Sequence, residues 1–248
     1  MNESDKKLKL EAQAAIHDPS RSALRRYALL TTGETSLWKL FAYELVTGLF
    51  SAWPGALGIW LRRKMYRRLF AEAGRDIIIG RNVTLRGFGR IRAGRKVVLD
   101  DNCVVDARGA GASITLGDEV LVGRNSIVRC RGEFLTLGEG TDVGCNCLLA
   151  TDSRLAIGRD VLIAAYTYVA AGGNHNYQDK TVPIRKQGFT SRGGVTIGDD
   201  VWIGSHTVIL DGVTVGRGAV IGAHSLVNKD LPDWAIAYGC PARVERLR

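Results

Sequence analysis

The sequence has few of the residues that cross-link or interrupt a small fold. Its 248 residues include five cysteines and five prolines. The cysteines are odd in number, form no paired CxxC frame and follow no recognisable secretory leader, so we expect free, buried thiols in a reducing compartment. With 46% hydrophobic and 24% charged residues the chain does not resemble a disordered one, and its 30 glycines lack the triplet period of collagen. The sequence therefore describes a folded globular protein.

The sequence also lacks an apolar run long enough for an ordinary membrane-spanning helix. Its longest stretch without a charge, 45–61, has 17 residues and as a helix would extend about 25 Å, against about 30 Å of bilayer hydrocarbon. Three tryptophans lie in or near this stretch, and five basic residues follow within 62–68. Aromatic residues beside a basic cluster predict that residues 37–68 contact a membrane surface. The alternative is a helical cap that buries its tryptophans and leucines against the rest of the protein.

Positive charge is concentrated near the N-terminus. Residues 1–75 contain 13 basic and 7 acidic side chains, whereas 76–248 contain 21 and 18. Helix-forming residues at 6–15 and a further segment that ends near Leu30 predict an α-helical extension over 1–75. Residues 76–248 lack the aromatic-interleaved basic surface of a nucleic-acid binder, so we expect no nucleic acid as a partner.

From residue 76 onward an aliphatic residue followed by a small one recurs at intervals of six. The higher period is three hexapeptides, since Leu116 to Leu137 spans 21 residues and Leu137 to Ile157 spans 20. In each hexapeptide the aliphatic side chain points inward and the small residue lets the chain turn a corner, so stacked coils bury one continuous column. The pattern predicts a parallel β-helix. Its dipeptides are Ile79-Gly80, Leu116-Gly117, Val122-Gly123, Leu137-Gly138, Val143-Gly144, Ile157-Gly158, Ile163-Ala164, Ile197-Gly198, Ile203-Gly204, Val215-Gly216 and Ile221-Gly222.

Residues 76–248 resemble the hexapeptide-repeat acyltransferases. The likeness is strongest over 146–243, which is similar to galactoside and maltose O-acetyltransferases and to the acetyltransferases of surface-polysaccharide gene clusters. The resemblance implies a left-handed parallel β-helix, an exception to the right-handed rule for parallel crossovers. It also implies acetyl-CoA as co-substrate, no metal, and a homotrimer with active sites between its subunits.

The repeat is interrupted once, between Ile157 and Ile197, where the interval grows to 40 residues. We expect the excess to form a loop over 173–194, and a long loop in a regular solenoid is usually functional. It contains His175, whose imidazole exchanges protons near neutral pH. By resemblance, His175 is the general base that takes the proton of the acceptor hydroxyl. A histidine that only holds a turn is the alternative. Asn176-Tyr177 follows it where the galactoside and maltose enzymes have proline, which leaves the acceptor open.

The resemblance also indicates residues that contact the acceptor. Asn146 matches an asparagine that lines the saccharide pocket or holds the histidine, although an asparagine stacked at a coil corner would look the same. Asp152 is placed to orient His175 or to bind sugar, unless it only faces solvent. Asn174, beside the histidine, completes the candidate saccharide-binding set.

A second set of residues is implied to bind the acyl donor. Trp202 would wall the acetyl and pantetheine site, and the backbone of Gly204 and Ser205, with Ala223 one coil further on, would contact the thioester and pantetheine arm. Subunit packing is the alternative for Trp202. Lys229 and Arg243 would neutralise the CoA phosphates, unless they are solvated surface charges.

These observations predict an acetyl-CoA-dependent O-acetyltransferase that acts on a saccharide, such as a lipid-linked or polysaccharide precursor of bacterial surface glycans. We expect it in the cytoplasm, peripheral on the inner membrane. N-acetylation of an amino-sugar nucleotide and a non-catalytic β-helix scaffold are the alternatives. His206 and His224 are 18 residues apart and should stack on one face, but His175 is 31 residues from His206, and this spacing argues against a three-histidine zinc site.

Overall fold

The computed structural model describes residues 20–109 and 111–248. The helix predicted over 6–15 lies outside these residues. Within them, three α-helices precede a parallel β-helix of seven coils, which confirms the predicted fold. The left-handed sense of winding stays a prediction from the resemblance.

The helical segment begins with α1 (Ala23–Thr32), followed by α2 (Leu37–Phe50) and α3 (Gly55–Tyr66). Local residues set these bounds. The side chains of Ser22 and Ser36 accept hydrogen bonds from backbone N–H groups in the first turns of α1 and α2. The apolar stretch 45–61 is divided between α2 and α3 because Pro54, just before α3, has no N–H to continue a helix. Among the described residues, no helix is both long and apolar enough to cross a bilayer.

Three parallel sheets form the faces of the solenoid, and each coil contributes one strand to each face. Face A has seven strands. In chain order they are β1 (Glu72–Ala73), β4 (Ile91–Ala93), β7 (Ser113–Leu116), β10 (Phe134–Leu137), β13 (Arg154–Ile157), β18 (Val195–Ile197) and β21 (Thr214–Val215). The first strand precedes the expected boundary at residue 76. It has no aliphatic-small dipeptide, and only its pairing with Arg92 and Ala93 reveals it.

Face B has nine strands, of which the last two form an antiparallel hairpin at the C-terminal end. They are β2 (Ile78–Ile79), β5 (Val98–Leu99), β8 (Leu121–Val122), β11 (Asp142–Val143), β14 (Leu162–Ile163), β19 (Trp202–Ile203), β22 (Val220–Ile221), β24 (Ala235–Gly239) and β25 (Ala242–Leu247).

Face C has seven strands, and the C–A corner, where the chain leaves it for the next coil, is where the repeat is interrupted. Its strands are β3 (Thr84–Arg86), β6 (Val104–Asp106), β9 (Ile127–Cys130), β12 (Leu148–Thr151), β15 (Tyr168–Ala171), β20 (Val208–Leu210) and β23 (Leu226–Val227). Two further strands, β16 (Asn174–His175) and β17 (Phe189–Thr190), lie in the interrupting segment and pair with each other.

The core is the aliphatic column inside the three faces. Ile114, Leu135 and Leu155 are fully buried and lie in register on consecutive coils. Cys103, Cys130 and Cys147 are buried and free, as predicted, while Cys240 is exposed. The column supplies the stability that no single coil could supply alone.

The helices cover the first coils through a mixed contact. The side chain of Arg62 is buried, and its Nε and Nη1 donate to the carbonyls of Ile79 (2.8 Å) and Trp53 (2.6 Å). Tyr43 stacks on Phe88 with ring centroids 5.6 Å apart. Part of the segment is therefore the cap that the alternative interpretation expected.

The opposite side of these helices is apolar and exposed, and we call it the outer cap surface. Trp38 is 75% exposed, so the burial of tryptophan that the cap interpretation required is not found. The exposed apolar residues are Leu24, Tyr27, Leu37, Trp38, Phe41, Leu45, Leu49, Trp53, Leu57, Ile59 and Trp60.

Candidate active site

The 173–194 loop leaves the solenoid at the C–A corner after the fifth coil and holds His175 on a short strand. His175 lies opposite Phe189, and Asn174 opposite Thr190, in the β16–β17 pair. Both His175 and Asn174 are exposed. The imidazole makes no hydrogen bond within the described part of the chain, which leaves both ring nitrogens available to a substrate.

The loop is ordered by its own hydrogen bonds. The Asn176 side chain donates to the carbonyl of Gln187 (3.1 Å) and accepts from the Thr190 hydroxyl (2.9 Å). The Gln187 amide in turn donates to the carbonyls of Asp179 and Val182, both at 2.7 Å. Asn176, which replaces the proline of the resembled enzymes, therefore holds the strand that carries His175.

Asp211 anchors the returning end of the loop, and sequence reasoning missed it. Its buried carboxylate accepts from the backbone N–H of Arg192 and of Gly194 (2.9 Å) and lies within reach of the Ser191 hydroxyl (3.3 Å). The available signal was the Asp-Gly dipeptide after β20, which falls at the corner where the loop departs one coil earlier.

Asp152 lies beneath the root of the loop, one coil below it. A Cβ built on Gly172 would lie 2.9 Å from Asp152 Oδ2, so carboxylate and loop are in close contact. Gly173 has φ of +81°, and a Cβ there would meet the Thr190 carbonyl oxygen at 2.6 Å, which restricts the position to glycine. Asp152 makes no hydrogen bond to His175, so its predicted orienting contact is not present in this chain.

Asn146 lies at a different corner, between faces B and C. It has φ of +57° and its side-chain oxygen accepts from Asn125 Nδ2 (3.2 Å) on the coil below. This is the stacked corner asparagine of the alternative interpretation. A role for Asn146 in acceptor binding stays a prediction, and within one chain it does not contact His175.

Three aromatic rings stack at the same B–C corner, on the coils that follow Asn146. The rings of Tyr166 and His206 have centroids 4.8 Å apart, and those of His206 and His224 are 4.6 Å apart. All three residues have positive φ, near +60°. The predicted stacking of the two histidines is confirmed, and among the described residues no group of three potential ligands could hold a metal.

The residues predicted to bind the acetyl and pantetheine end of the donor lie on face B and at the B–C corner, next to these stacked rings. Trp202 projects from face B and is 54% exposed. A Cβ on Gly204 would lie 2.5 Å from the backbone nitrogen of Ala223, so adjacent coils touch here and leave only the small residues Ser205 and Ala223 along the edge. The result is a smooth strip suited to an extended ligand arm.

Lys229 and Arg243 lie at the C-terminal end of the solenoid. Both are exposed, and neither forms an ion pair with another described residue. The corner turn after β23 holds Lys229, whereas Arg243 lies on the terminal hairpin at the edge of face B. They are therefore free to meet an anion, but they are not adjacent to each other in sequence or on one strand.

The buried thiols are unsuited to nucleophilic chemistry. Burial raises the pKa of Cys103 to about 12 and that of Cys130 to about 11. Both stay protonated at neutral pH, and a thiol rather than a thiolate is a poor nucleophile.

Comparison with known proteins agrees with the repeat fold. The model of the bacterial transferase hexapeptide (six repeats) matches residues 194–229, which form coils six and seven. Residues 194–229 therefore carry the hexapeptide repeat of bacterial transferases. The chain is 38% identical over 115 residues to galactoside O-acetyltransferase of Escherichia coli K12, a match that covers 46% of the chain and 55% of the relative.

Galactoside O-acetyltransferase of Lactococcus lactis is 34% identical over 119 residues, with 46% of this chain and 54% of the relative covered. The chain thus spans about half the length of the curated relatives it matches. A solved structure of AntD, a Bacillus cereus N-acyltransferase in complex with dTDP-4-amino-4,6-dideoxyglucose and coenzyme A, superposes with a TM-score of 0.53 at 20% identity. The superposition covers 81% of this chain and 91% of the AntD chain, and it shows a shared fold.

Proposed function

We propose that the protein is an acetyl-CoA-dependent O-acetyltransferase that modifies a hydroxyl group of a saccharide. The observation that carries the proposal is the projection of His175 from the single interruption of the solenoid, on a strand that the loop itself holds in place. Homology to two galactoside O-acetyltransferases supports acetyl transfer and a sugar acceptor.

The reaction needs one proton acceptor and one anion-stabilising contact. The acceptor hydroxyl oxygen bonds to the thioester carbonyl carbon while its proton passes to the His175 imidazole. The tetrahedral intermediate then expels the CoA thiolate, which takes the proton from the imidazolium, so an ester and CoA-SH leave. The backbone N–H of Ser205 would stabilise the oxyanion, a contact worth about 3–4 kcal/mol in other enzymes. The N–H of Gly204 already donates to the Ile221 carbonyl (2.8 Å). Asn174, Asp152 and Asn146 are the candidate contacts to the saccharide.

The donor would lie along the B–C corner. Trp202 offers a flat wall for the acetyl end, and the strip of Ser205 and Ala223 accommodates the pantetheine arm. Lys229 and Arg243 at the C-terminal end would meet the phosphates, the first as a point charge and the second as a planar fork.

We further propose a homotrimer in which neighbouring subunits share each site. In one chain the loop leaves at the C–A corner and the donor strip follows the B–C corner, with face C between them. Face C strands of four residues are roughly 13 Å long, so one chain does not bring His175 onto its own strip. A neighbour that packs its B–C corner against this loop would complete the site.

Replacing His175 by alanine tests the proposed base. Loss of a general base lowers kcat by about 10²–10⁴-fold. We expect His175→Ala to lose this much while CoA binding and melting temperature stay unchanged, with the exposed loop variant Lys180→Ala as the matched control. A rate above a tenth of wild type would remove His175 from this role.

Mixed oligomers test the shared site. Co-expressed His175→Ala and Ser205→Tyr chains should regain activity that neither variant has alone, because the intact histidine of one chain meets the intact strip of the other. A mass near 26.9 kDa in solution, the mass of one chain, would contradict the trimer. An acceptor panel that includes amino-sugar nucleotides separates O-acetylation from N-acetylation.

We also propose that the outer cap surface rests on the cytoplasmic face of the inner membrane, where a lipid-linked or polysaccharide precursor would be acetylated. Eleven exposed apolar side chains support this contact. Lys64, Arg67 and Arg68 on and after α3 add positive charge at its rim, and each would contribute about 1 kcal/mol at an anionic surface.

A further inference from the structure

Two arginines at the end of the third coil lie below the loop without a carboxylate partner. Arg129 projects outward from face C, and Arg131 begins the following C–A corner. Neither side chain forms an ion pair or a hydrogen bond with another described residue, and Arg129 Nε is fully buried without a partner. A guanidinium with an unpartnered, solvent-excluded N–H is unusual, because such donors normally find an acceptor.

The carboxylate on the coil below Arg129 is already committed to another arginine. Asp106 lies in register with Arg129 on the coil below. However, Asp106 accepts from Arg108 Nε (2.8 Å) and Nη2 (2.6 Å), a two-point contact. Of the Arg129 donors only Nε is solvent-excluded, so its terminal nitrogens and the exposed Arg131 side chain stay available to an incoming anion.

The lowered pKa of Arg131 agrees with a pair of guanidinium groups that lacks a bound anion. Burial lowers the pKa of Arg131, and the neighbouring charge of Arg129 lowers it further, with Asp106 and Asp152 opposing the effect. Two guanidinium groups held close together are stabilised by an anion with several charged oxygens, and a phosphate or diphosphate matches their planar donors.

The location connects the pair to the loop. A Cβ on Gly132, next to Arg131, would lie 2.4 Å from the backbone of Asp152, and Asp152 in turn contacts Gly172 at the loop root. Arg131 is thus two coils, roughly 10 Å, below the point where the loop that carries His175 departs. On the other side, Arg108 donates to the carbonyl of Leu30 at the end of α1 (2.7 Å), so the pair lies between the helical cap and the loop.

We propose that Arg129 and Arg131 bind the diphosphate of the acceptor, so that the substrate is a saccharide joined to a diphosphate rather than a free sugar. This inference rests on the proposed acetyl transfer. The spacing places a sugar ring between the diphosphate and His175. A diphosphate carried on a nucleoside and one carried on a polyprenyl lipid present the same group to the arginines.

Calorimetric titration with inorganic pyrophosphate tests the site directly, in the presence of saturating CoA so that the donor-phosphate residues are occupied. We expect wild-type protein to bind pyrophosphate and the Arg129→Gln/Arg131→Gln variant to bind at least tenfold more weakly. The exposed Arg75→Gln is the matched control and should bind as wild type does. Circular dichroism and melting curves establish that the double variant is folded. Equal binding by wild type and the double variant, or no binding by wild type, would overturn the proposal.

Competition experiments then distinguish a nucleoside carrier of the diphosphate from a polyprenyl lipid carrier. Kinetics distinguish the proposed acetyl transfer from the proposed anion site. Geranyl diphosphate and UDP compete with pyrophosphate, and the stronger competitor identifies the lipid or the nucleotide carrier. With a diphosphate-linked sugar as acceptor, the double variant should raise its KM about tenfold and leave kcat and the KM for acetyl-CoA unchanged. Pyrophosphate binding that depends on both arginines, without acetyl transfer to any saccharide, would refute the proposed function but keep the anion site. Transfer with an acceptor KM that the double variant does not change would refute the anion site alone.

Discussion

The helical cap and the solenoid both contain many aliphatic and aromatic residues, yet they place them on opposite sides. In the solenoid the aliphatic side chains point inward, so Ile114 and Leu135 are fully buried by the coils above and below. In the cap, residues such as Trp38 and Leu57 point away from the protein. Repetition gives every coil an apolar neighbour, whereas the outer side of the cap has no neighbour within the described chain.

The inner side of the cap differs from the solenoid core because it combines polar and apolar contacts. Its attachment to the first coil includes a hydrogen bond from the buried Arg62 to the Ile79 carbonyl, in addition to aromatic packing. The same side chain also donates to the Trp53 carbonyl within the cap. Burial lowers the pKa of Arg62, as expected for a cation with little access to water. The cap is thus joined to the solenoid by a specific polar contact and by buried residues such as Tyr43 and Val46, while its other apolar residues face outward.

Truncation of a core leucine should give the largest effect. Leu135→Ala removes side-chain volume from the inner column and should lower the free energy of unfolding by about 2–5 kcal/mol. Trp38→Ser changes an exposed side chain of the cap and should alter it by less than about 0.5 kcal/mol. Denaturant titration of both variants measures the difference. Comparable losses would show that the outer cap surface packs against the protein itself.

Alkaline pH should destabilise the inner side of the cap by the next largest amount. Tyr66 is fully buried at the end of α3, and burial is the main cause that raises its pKa from 10.0 to about 12. Because the folded pKa exceeds the unfolded one, this contribution is complete below pH 10 and is lost as pH rises through 12, about 2–3 kcal/mol in all. Unfolding curves between pH 9 and 12 should show this loss in wild type and in the exposed control Tyr238→Phe. Tyr66→Phe should lose less stability than wild type by this amount, although the buried thiols of Cys103 and Cys130 still contribute in both. Identical curves for Tyr66→Phe and wild type would be inconsistent with a buried phenol.

The smallest effect concerns the outer side of the cap. Trp38→Ser combined with Trp60→Ser should weaken binding to phosphatidylglycerol vesicles about tenfold, since aromatic side chains at an interface contribute apolar contact. Leu247→Ser, an exposed apolar residue at the far end of the solenoid, is the matched control and should bind as wild type does. Co-sedimentation at low and high salt measures both. Failure of wild type to sediment with the vesicles would remove the membrane as partner of this surface.

Much of the fold could be predicted from the sequence because each coil repeats the same local rule. Dipeptides such as Leu116-Gly117 mark inward side chains and corners, and the one irregular interval marked the loop. The first strand, Glu72–Ala73, was missed because it lacks that dipeptide and depends on pairing with the next coil. The division of the apolar stretch into two helices followed from Pro54, which the sequence did contain.

The candidate site was harder to predict because its contacts cross between coils. Asp211 binds backbone groups that are 17 and 19 residues away in the chain, and no local pattern identifies such a partner. Arg129 and Arg131 look like ordinary surface charges until the register shows that Asp106 is already taken. The aromatic rings at positive φ, His206 among them, occupy corner positions that favour asparagine or glycine, so propensity alone would not place them there.

The strand register continues across the loop as though the loop were absent. Leu155 pairs with Val195 and Ile157 with Ile197, although the intervening segment adds about one coil's length of chain. A change in the length or composition of residues 173–194 would therefore leave the buried column in place. Selection can alter this segment without disturbing the column, provided that positions such as Gly173 and His175 are kept, so new acceptor preferences can arise in such a protein without a new scaffold. Exchange of the loop between related chains is the corresponding route for an engineer.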